Sequence, residues 1–194
     1  MNIGIVGLGL IGGSLGRAIK NKTDNKVYAF DTDKDAILKG RLLGAMDDEL
    51  TEEKIRELDM LFFAVYPRTL EKIAENYVKR LKNGAIVIDI CGNKRKPVET
   101  FKNLNAKYPM LHFSGGHCMA GREFSGISHS TVNLFDGASM ILTPITSDLA
   151  VLTKIKTFFL DLGFKQTVFT TPEEQDKIIA YTSQLAHLVS SSYI

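Results

Sequence analysis

Three glycines, Gly7, Gly9 and Gly12, fall within six residues of one another near the start of the chain, in the order Gly-Leu-Gly-Leu-Ile-Gly. At this spacing each removes a side chain where backbone must come close to something. Gly7 permits a tight turn, Gly9 lets an anionic group approach the main chain, and Gly12 lets a helix lie near a strand. Residues 2–6 before them form an apolar run too short for a helix, and residues 10–21 after them carry a helical pattern. The glycines therefore mark a strand-to-helix junction. The free N–H groups there, at Leu10 and Ile11 among others, and the positive end of the helix dipole suit a diphosphate. Asp31 ends the next apolar run, nineteen residues after Gly12. A carboxylate at that place accepts hydrogen bonds from ribose hydroxyls and repels a 2′-phosphate, so the fingerprint reads as NAD-binding rather than NADP-binding. Val65, at the close of a third apolar run, is assigned to the same cofactor site.

A second cluster lies at residues 115–126, where His117 is set among glycines and followed by Arg122 and Glu123. It comes after a short apolar run at residues 111–114, which places it in a loop at the carboxyl edge of a sheet, where ligands bind in open α/β folds. Histidine there suits proton transfer near neutral pH.

The elements that must hold these residues alternate. Strands are expected at residues 2–6, 26–30, 58–65, 85–90, 111–114, 138–144 and 165–170. Helices are expected at 10–21, 35–43, 69–81, 97–108, 149–162 and 173–193, with a long Gly-, Ser- and His-containing loop up to residue 136. Such alternation implies βαβ crossovers and a doubly wound, mostly parallel Rossmann sheet. Runs such as Met60-Leu61-Phe62-Phe63, apolar without alternation, imply that both sheet faces are covered. Residues 1–170 read as the dinucleotide-binding domain, and residues 171–194 as the first helix of a truncated helical dimerisation domain.

Composition narrows the alternatives. The 194 residues carry a net charge of +2 with 24% charged residues, so no global field calls for nucleic acid or an anionic membrane. The basic run Lys94–Arg95–Lys96 reads as a solvated loop. Cys91 and Cys118 lack zinc or disulfide spacing, which fits a reducing cytoplasm and gives no metal site. No apolar run reaches the roughly 18 residues of a membrane helix.

The segment around His117 resembles the prephenate and arogenate dehydrogenase family, whose motif is like His-Pro-Met-Ala-Gly-x-Glu-x-Ser-Gly. His117, Met119, Ala120, Gly121, Glu123, Ser125 and Gly126 match it. The opening Gly-Leu-Gly-Leu-Ile-Gly-Gly-Ser-Leu, the stretch Asp89-Ile90-Cys91-Gly92-Asn93-Lys94 and the segment 174–187 are also similar to the family. The resemblance implies NAD-dependent oxidative decarboxylation of prephenate, or of arogenate, with His117 taking the proton of the ring 4-hydroxyl. It implies that Ser183 helps orient the substrate, that Glu123 gates or tunes charge, and that a homodimer forms through the C-terminal helix. A catalytically weak NAD-binding module and a β-hydroxyacid dehydrogenase are the competing readings.

The chain also departs from the pattern. Gly92 stands where many members carry a serine that orients the histidine, leaving Asn93 or a water to replace it. Cys118 stands in place of proline and is expected to be a bystander, and Gln184 replaces a histidine while His187 is kept as a packing or partner-facing residue. Ending at Ile194, the chain lacks the family's substrate-binding arginine, so Arg122, Lys94 and Arg95 are the candidate cations for a substrate carboxylate.

Overall fold

The short apolar runs become strands of one eight-stranded sheet in the computed structural model, which describes residues 1–181. These are β1 (Asn2–Val6), β2 (Lys26–Phe30), β3 (Asp48–Glu49), β4 (Met60–Phe63), β5 (Ile86–Asp89), β6 (His112–Cys118), β7 (Ser139–Pro144) and β8 (Gln166–Phe169). Their order is β3-β2-β1-β4-β5-β6-β7-β8, and every neighbouring pair is parallel except β6 with β7. The chain runs outward from β1 to β3, then returns to the far side of β1 as β4. That reversal opens a crevice beyond the carboxyl ends of β1 and β4.

Among the described residues there are seven helices: α1 (Leu10–Lys22), α2 (Lys34–Leu42), α3 (Glu52–Ile55), α4 (Pro67–Val78), α5 (Arg95–Lys107), α6 (Leu149–Asp161) and α7 (Pro172–Ile179). Strand β4 shows why its sequence does not alternate. Met60 and Phe62 enter the core shared with Leu15 and Ile19 of α1 and Phe158 and Phe159 of α6. Leu61 and Phe63 enter the opposite core with Leu70 of α4 and Phe101 of α5. Both faces are apolar because both are buried.

Local chemistry sets the helix starts. The Asp33 side chain accepts the Asp35 N–H, and Asp148 accepts those of Ala150 and Val151. Helix α7 carries a reciprocal capping box between Thr171 and Glu174, with Pro172 at its opening. Helix α4 begins at Pro67, two residues before the expected 69, because proline's fixed φ and missing N–H suit the first helical position.

Three features depart from the sequence reading. Strand β3 and helix α3 occupy residues 48–55, where two- and four-residue elements are too short to show a period. Strand β7 is antiparallel to β6, and the connection between them carries only a 3₁₀ turn at Ile127–His129, not a crossover helix. Finally, β6 does not stop at Ser114; it runs on through Gly115, Gly116 and His117 to Cys118. The glycine pair is not a turn but a close approach to β7. A Cβ on Gly115 would lie 2.2 Å from Thr143 Oγ1, and one on Gly116 2.6 Å from Met140 Cε. His117 is therefore a strand residue rather than a loop residue. The expected 173–193 helix is seen as α7, and its remainder lies outside the described residues.

Two glycines of the first helical segment predict opposite outcomes. A Cβ on Gly16 would lie 2.0 Å from the Ala45 carbonyl oxygen, whereas one on Gly9 would meet nothing within 4 Å. Gly16→Ala is expected to destabilise the chain by about 1–3 kcal/mol, read as a lower urea midpoint with unchanged slope. Gly9→Ala is expected to leave the midpoint within about 0.5 kcal/mol of the parent.

Candidate active site

The crevice is built around the start of α1. Gly7 turns the chain out of β1 with φ +101, a conformation that side-chain-bearing residues rarely adopt. Gly9 caps α1 without any side-chain hydrogen bond, so no protein group covers the helix end from that position. The open space over Gly9 and the bare helix start suit a diphosphate lying against the main chain.

Asp31, just past β2, is turned toward this loop. The Leu8 N–H donates to its Oδ2 at 2.6 Å, and the Asp33 N–H donates to its Oδ1 at 2.9 Å. Each carboxylate oxygen keeps a lone pair for a ligand hydroxyl. Asp31 lines a cleft with Leu8, Gly9, Lys39 and Gly126. Gly9 and Gly126 are shared with a second cleft of about 370 Å³, lined also by Leu10, Ile11, Val65, Cys91, Gly92 and Ser125. The two form a continuous trough across the glycine turn, within the size range of small-molecule sites.

The long connection after β6 closes this trough. Ile127 and Ser130 pack on α1 so tightly that a Cβ on Gly13 would come within 2.8 Å of Ile127 Cγ1 and 3.2 Å of Ser130 Cβ. The Thr131 N–H donates to Ser14 Oγ at 3.0 Å, and Arg17 Nη1 donates to the Ser130 carbonyl. These contacts bring Ser125 and Gly126, from the His117 segment, against the loop of Gly9.

His117 stands at the other end. A Cβ on Gly92 would lie 3.9 Å from His117 Nε2, so this nitrogen lies beside Gly92, a lining residue of the second cleft. Apart from this nitrogen, a Cβ on Gly92 would meet nothing within 4 Å among the described residues. The other ring nitrogen, Nδ1, lies 2.9 Å from Nε2 of Gln175, a buried residue of α7. Burial holds His117 well below the usual histidine range, at about 4, and the nearby Lys94 ammonium adds to the shift. The imidazole is neutral at physiological pH.

Lys94 is not the available cation that the sequence suggested, nor part of a solvated basic run. Its side chain is fully buried, with Nζ donating to Asp89 Oδ1 and to the Gly116 carbonyl. Desolvation raises the Asp89 pKa and the Lys94 charge opposes that rise. The pair ties the end of β5 to β6 rather than facing a substrate. Arg95 pairs with Asp176 on the surface. Arg122 and Glu123 are exposed, and Arg122 Nη1 donates to the His129 carbonyl at 3.3 Å. Asn93 is exposed. Burial pushes the thiol of Cys91 up, and that of Cys118 to about 11, so both are protonated. Ser183, Gln184 and His187 lie outside the described residues.

Gln175 was not singled out from the sequence. An amide in the polar first turn of a helix, 58 residues from its partner, gives no local signal.

A glycine turn and an inward-facing acid on adjacent strands, beside the switch point of a mostly parallel sheet, define a nucleotide-binding Rossmann domain. The family model for the nucleotide-binding domain of prephenate dehydrogenase matches residues 15–168, and the chain belongs to that family. It is 28% identical over 196 residues to the prephenate dehydrogenase of Bacillus subtilis, covering 98% of this chain and 52% of that protein. The crystal structure of Aquifex aeolicus prephenate dehydrogenase with hydroxyphenyl propionate and NAD+ superposes with a TM-score of 0.87 at 30% identity, covering 100% of this chain and 68% of that one. Synechocystis arogenate dehydrogenase gives the same TM-score, 0.87, at 27% identity, covering 100% of this chain and 68% of that one. The chain spans about half the length of the first two curated relatives it matches, 52% of each.

The depressed His117 pKa has a direction that can be measured. Between about pH 4 and the unperturbed value of 6.5, the unfolded chain takes up a proton that the folded chain refuses, so stability falls as pH drops through this window. The parent is expected to lose more stability than His117→Asn between pH 7 and pH 4.5 in urea titrations. Equal losses would contradict the shift.

Proposed function

We propose that this chain is the NAD-binding part of a dehydrogenase that converts prephenate to 4-hydroxyphenylpyruvate by oxidative decarboxylation. The observation that carries the reading is the position of a neutral histidine. His117 Nε2 lies beside Gly92, at one end of a trough whose other end holds Asp31, with the bare start of α1 between them.

In this reading Gly7, Gly9, Leu10, Ile11 and Gly12 hold the diphosphate, Asp31 the adenosine ribose, and Val65 with Gly92 the far end. NAD, when bound, supplies the acceptor for the hydride that leaves the ring carbon bearing the 4-hydroxyl. His117 accepts the hydroxyl proton as the carbon–oxygen bond becomes a carbonyl, and returns it to the phenolic oxygen once the ring carboxylate has left as CO2. Aromatisation drives the step, so alignment and one proton transfer are what the protein contributes. The buried, neutral imidazole suits that role. Arg122 and Glu123, both exposed, are assigned to meet the substrate, and Ser183 to orient it.

The proposal includes a domain division at residues 170/171, self-association through the segment that α7 begins, and a reducing cytoplasmic setting that suits the two free thiols. Among the described residues no helix is long and apolar enough to cross a membrane.

Formation of NADH at 340 nm with prephenate and with arogenate, side by side, tests the reaction. Turnover with prephenate is expected, lowered about a hundredfold or more in His117→Asn with NAD affinity retained. Unchanged turnover in that variant would remove the base assignment. In fluorescence titrations NAD is expected to bind more tightly than NADP. Asp31→Ser should weaken NAD about tenfold and narrow the difference. Equal affinities in the parent would defeat the role given to Asp31.

A further inference from the structure

If His117 is to accept a proton at Nε2, its own proton must sit on Nδ1, and some group must favour that tautomer. The family resemblance gives the orienting role to a serine, and Gly92 leaves that role vacant. The structure offers another neighbour. Gln175 is 1% exposed, and its side-chain amide is 2.9 Å from His117 Nδ1.

The placement of Gln175 is fixed from both sides. The capping box of Thr171 and Glu174 sets the start of α7. The next residue along, Asp176, accepts the Lys94 N–H at 2.6 Å and the Arg95 N–H at 3.2 Å, so it closes the exposed start of α5. Helix α7 is thereby pinned to the junction after β5, the same junction that carries Gly92. The backbone of Gln175 is thereby held beside the histidine.

The amide can meet Nδ1 in two ways, related by a half-turn about its last bond. With Nε2 toward the ring, Gln175 donates to Nδ1, and among the described residues its buried Oε1 has no partner. With Oε1 toward the ring, it accepts the Nδ1–H and frees the Nε2 lone pair beside Gly92. A base at Nε2 requires the second arrangement.

We propose that Gln175 is a positioning residue, whose side-chain oxygen accepts the Nδ1–H of His117 and so holds Nε2 as the proton acceptor facing Gly92. The proposal rests on the reading of His117 as the base and adds what sets its tautomer. It makes α7, outside the strand-and-helix unit that builds the trough, part of the catalytic geometry.

The test is the nitrogen spectrum of the whole 194-residue chain carrying 15N-histidine, with His117 assigned by its loss in His117→Asn. Long-range proton–nitrogen correlations at pH 7 distinguish the tautomers. The parent is expected to show Nδ1 protonated. Gln175→Glu, which can only accept when ionised, is expected to keep that pattern and raise the His117 titration midpoint. Gln175→Leu is expected to move it toward Nε2–H and, in the NADH assay, to lower kcat about a hundredfold with a smaller change in KM. A parent already in the Nε2–H form, or a tautomer unchanged in Gln175→Leu, overturns the proposal. Should Gln175→Leu fail to fold, an unmoved midpoint in Gln175→Glu also overturns it. The two readings separate cleanly. A spectrum that follows Gln175 without turnover on prephenate or arogenate removes the reaction and keeps the positioning role. Turnover that ignores Gln175 does the reverse.

Discussion

Helix α1 meets the end of β1 almost backbone to backbone. A Cβ on Gly12 would lie 1.9 Å from the Gly7 carbonyl oxygen, a distance no side chain tolerates. This contact sets the angle at which α1 leaves the sheet, and much of the site depends on it. It aims the free N–H groups of the first turn into the crevice. It brings Leu8 to where its N–H reaches Asp31, so the carboxylate on the neighbouring strand is oriented by the same turn. Further along, Gly16 rests on the Ala45 carbonyl and Gly13 on Ile127, which lets two segments distant in sequence lock onto one helix. A helix with four glycines in its first seven residues and cap is weak by propensity. It persists because tertiary contact on the glycine face replaces what propensity lacks.

The second half of the site is organised by a buried charge pair. Asp89 and Lys94 are both fully excluded from solvent, and Lys94 also reaches the Gly116 carbonyl, one residue before His117. Such a pair adds little net stability, since desolvating two ions offsets their attraction. Its effect is on register: it fixes where β6 lies beside β5, and so where the histidine projects. The Lys94 charge also helps keep the imidazole unprotonated. A structural ion pair and the His117 ring are thereby coupled through space. The anchoring of α7 by Asp176 at the same junction extends this arrangement to a third element.

The trough itself comes from two parts of the chain more than a hundred residues apart, Gly9 and Gly126, meeting over α1. Its halves differ in chemistry. Near Asp31 it carries charged groups, including Lys39; near His117 it is bordered by Val65, Ile90 and Cys91, with protonated thiol and apolar side chains.

The glycine turn, Asp31 and the unbroken apolar strands were legible in the sequence because each rule acts over a few residues. A tight turn requires glycine, a helix start exposes N–H groups, and a strand covered on both faces has no polar positions. The motif around His117 was legible through its resemblance to a known family. Tertiary structure decided the rest, through contacts between distant residues that carry no local periodicity. Gly115 and Gly116 read as a loop but are strand, because Thr143 and Met140 of an antiparallel neighbour lie against them. Lys94 read as a surface charge but is buried, because Asp89 waits inside to neutralise it. Gln175 carries no local signal in the sequence, and only the docking of α7 on the start of α5 brings its amide to the histidine ring.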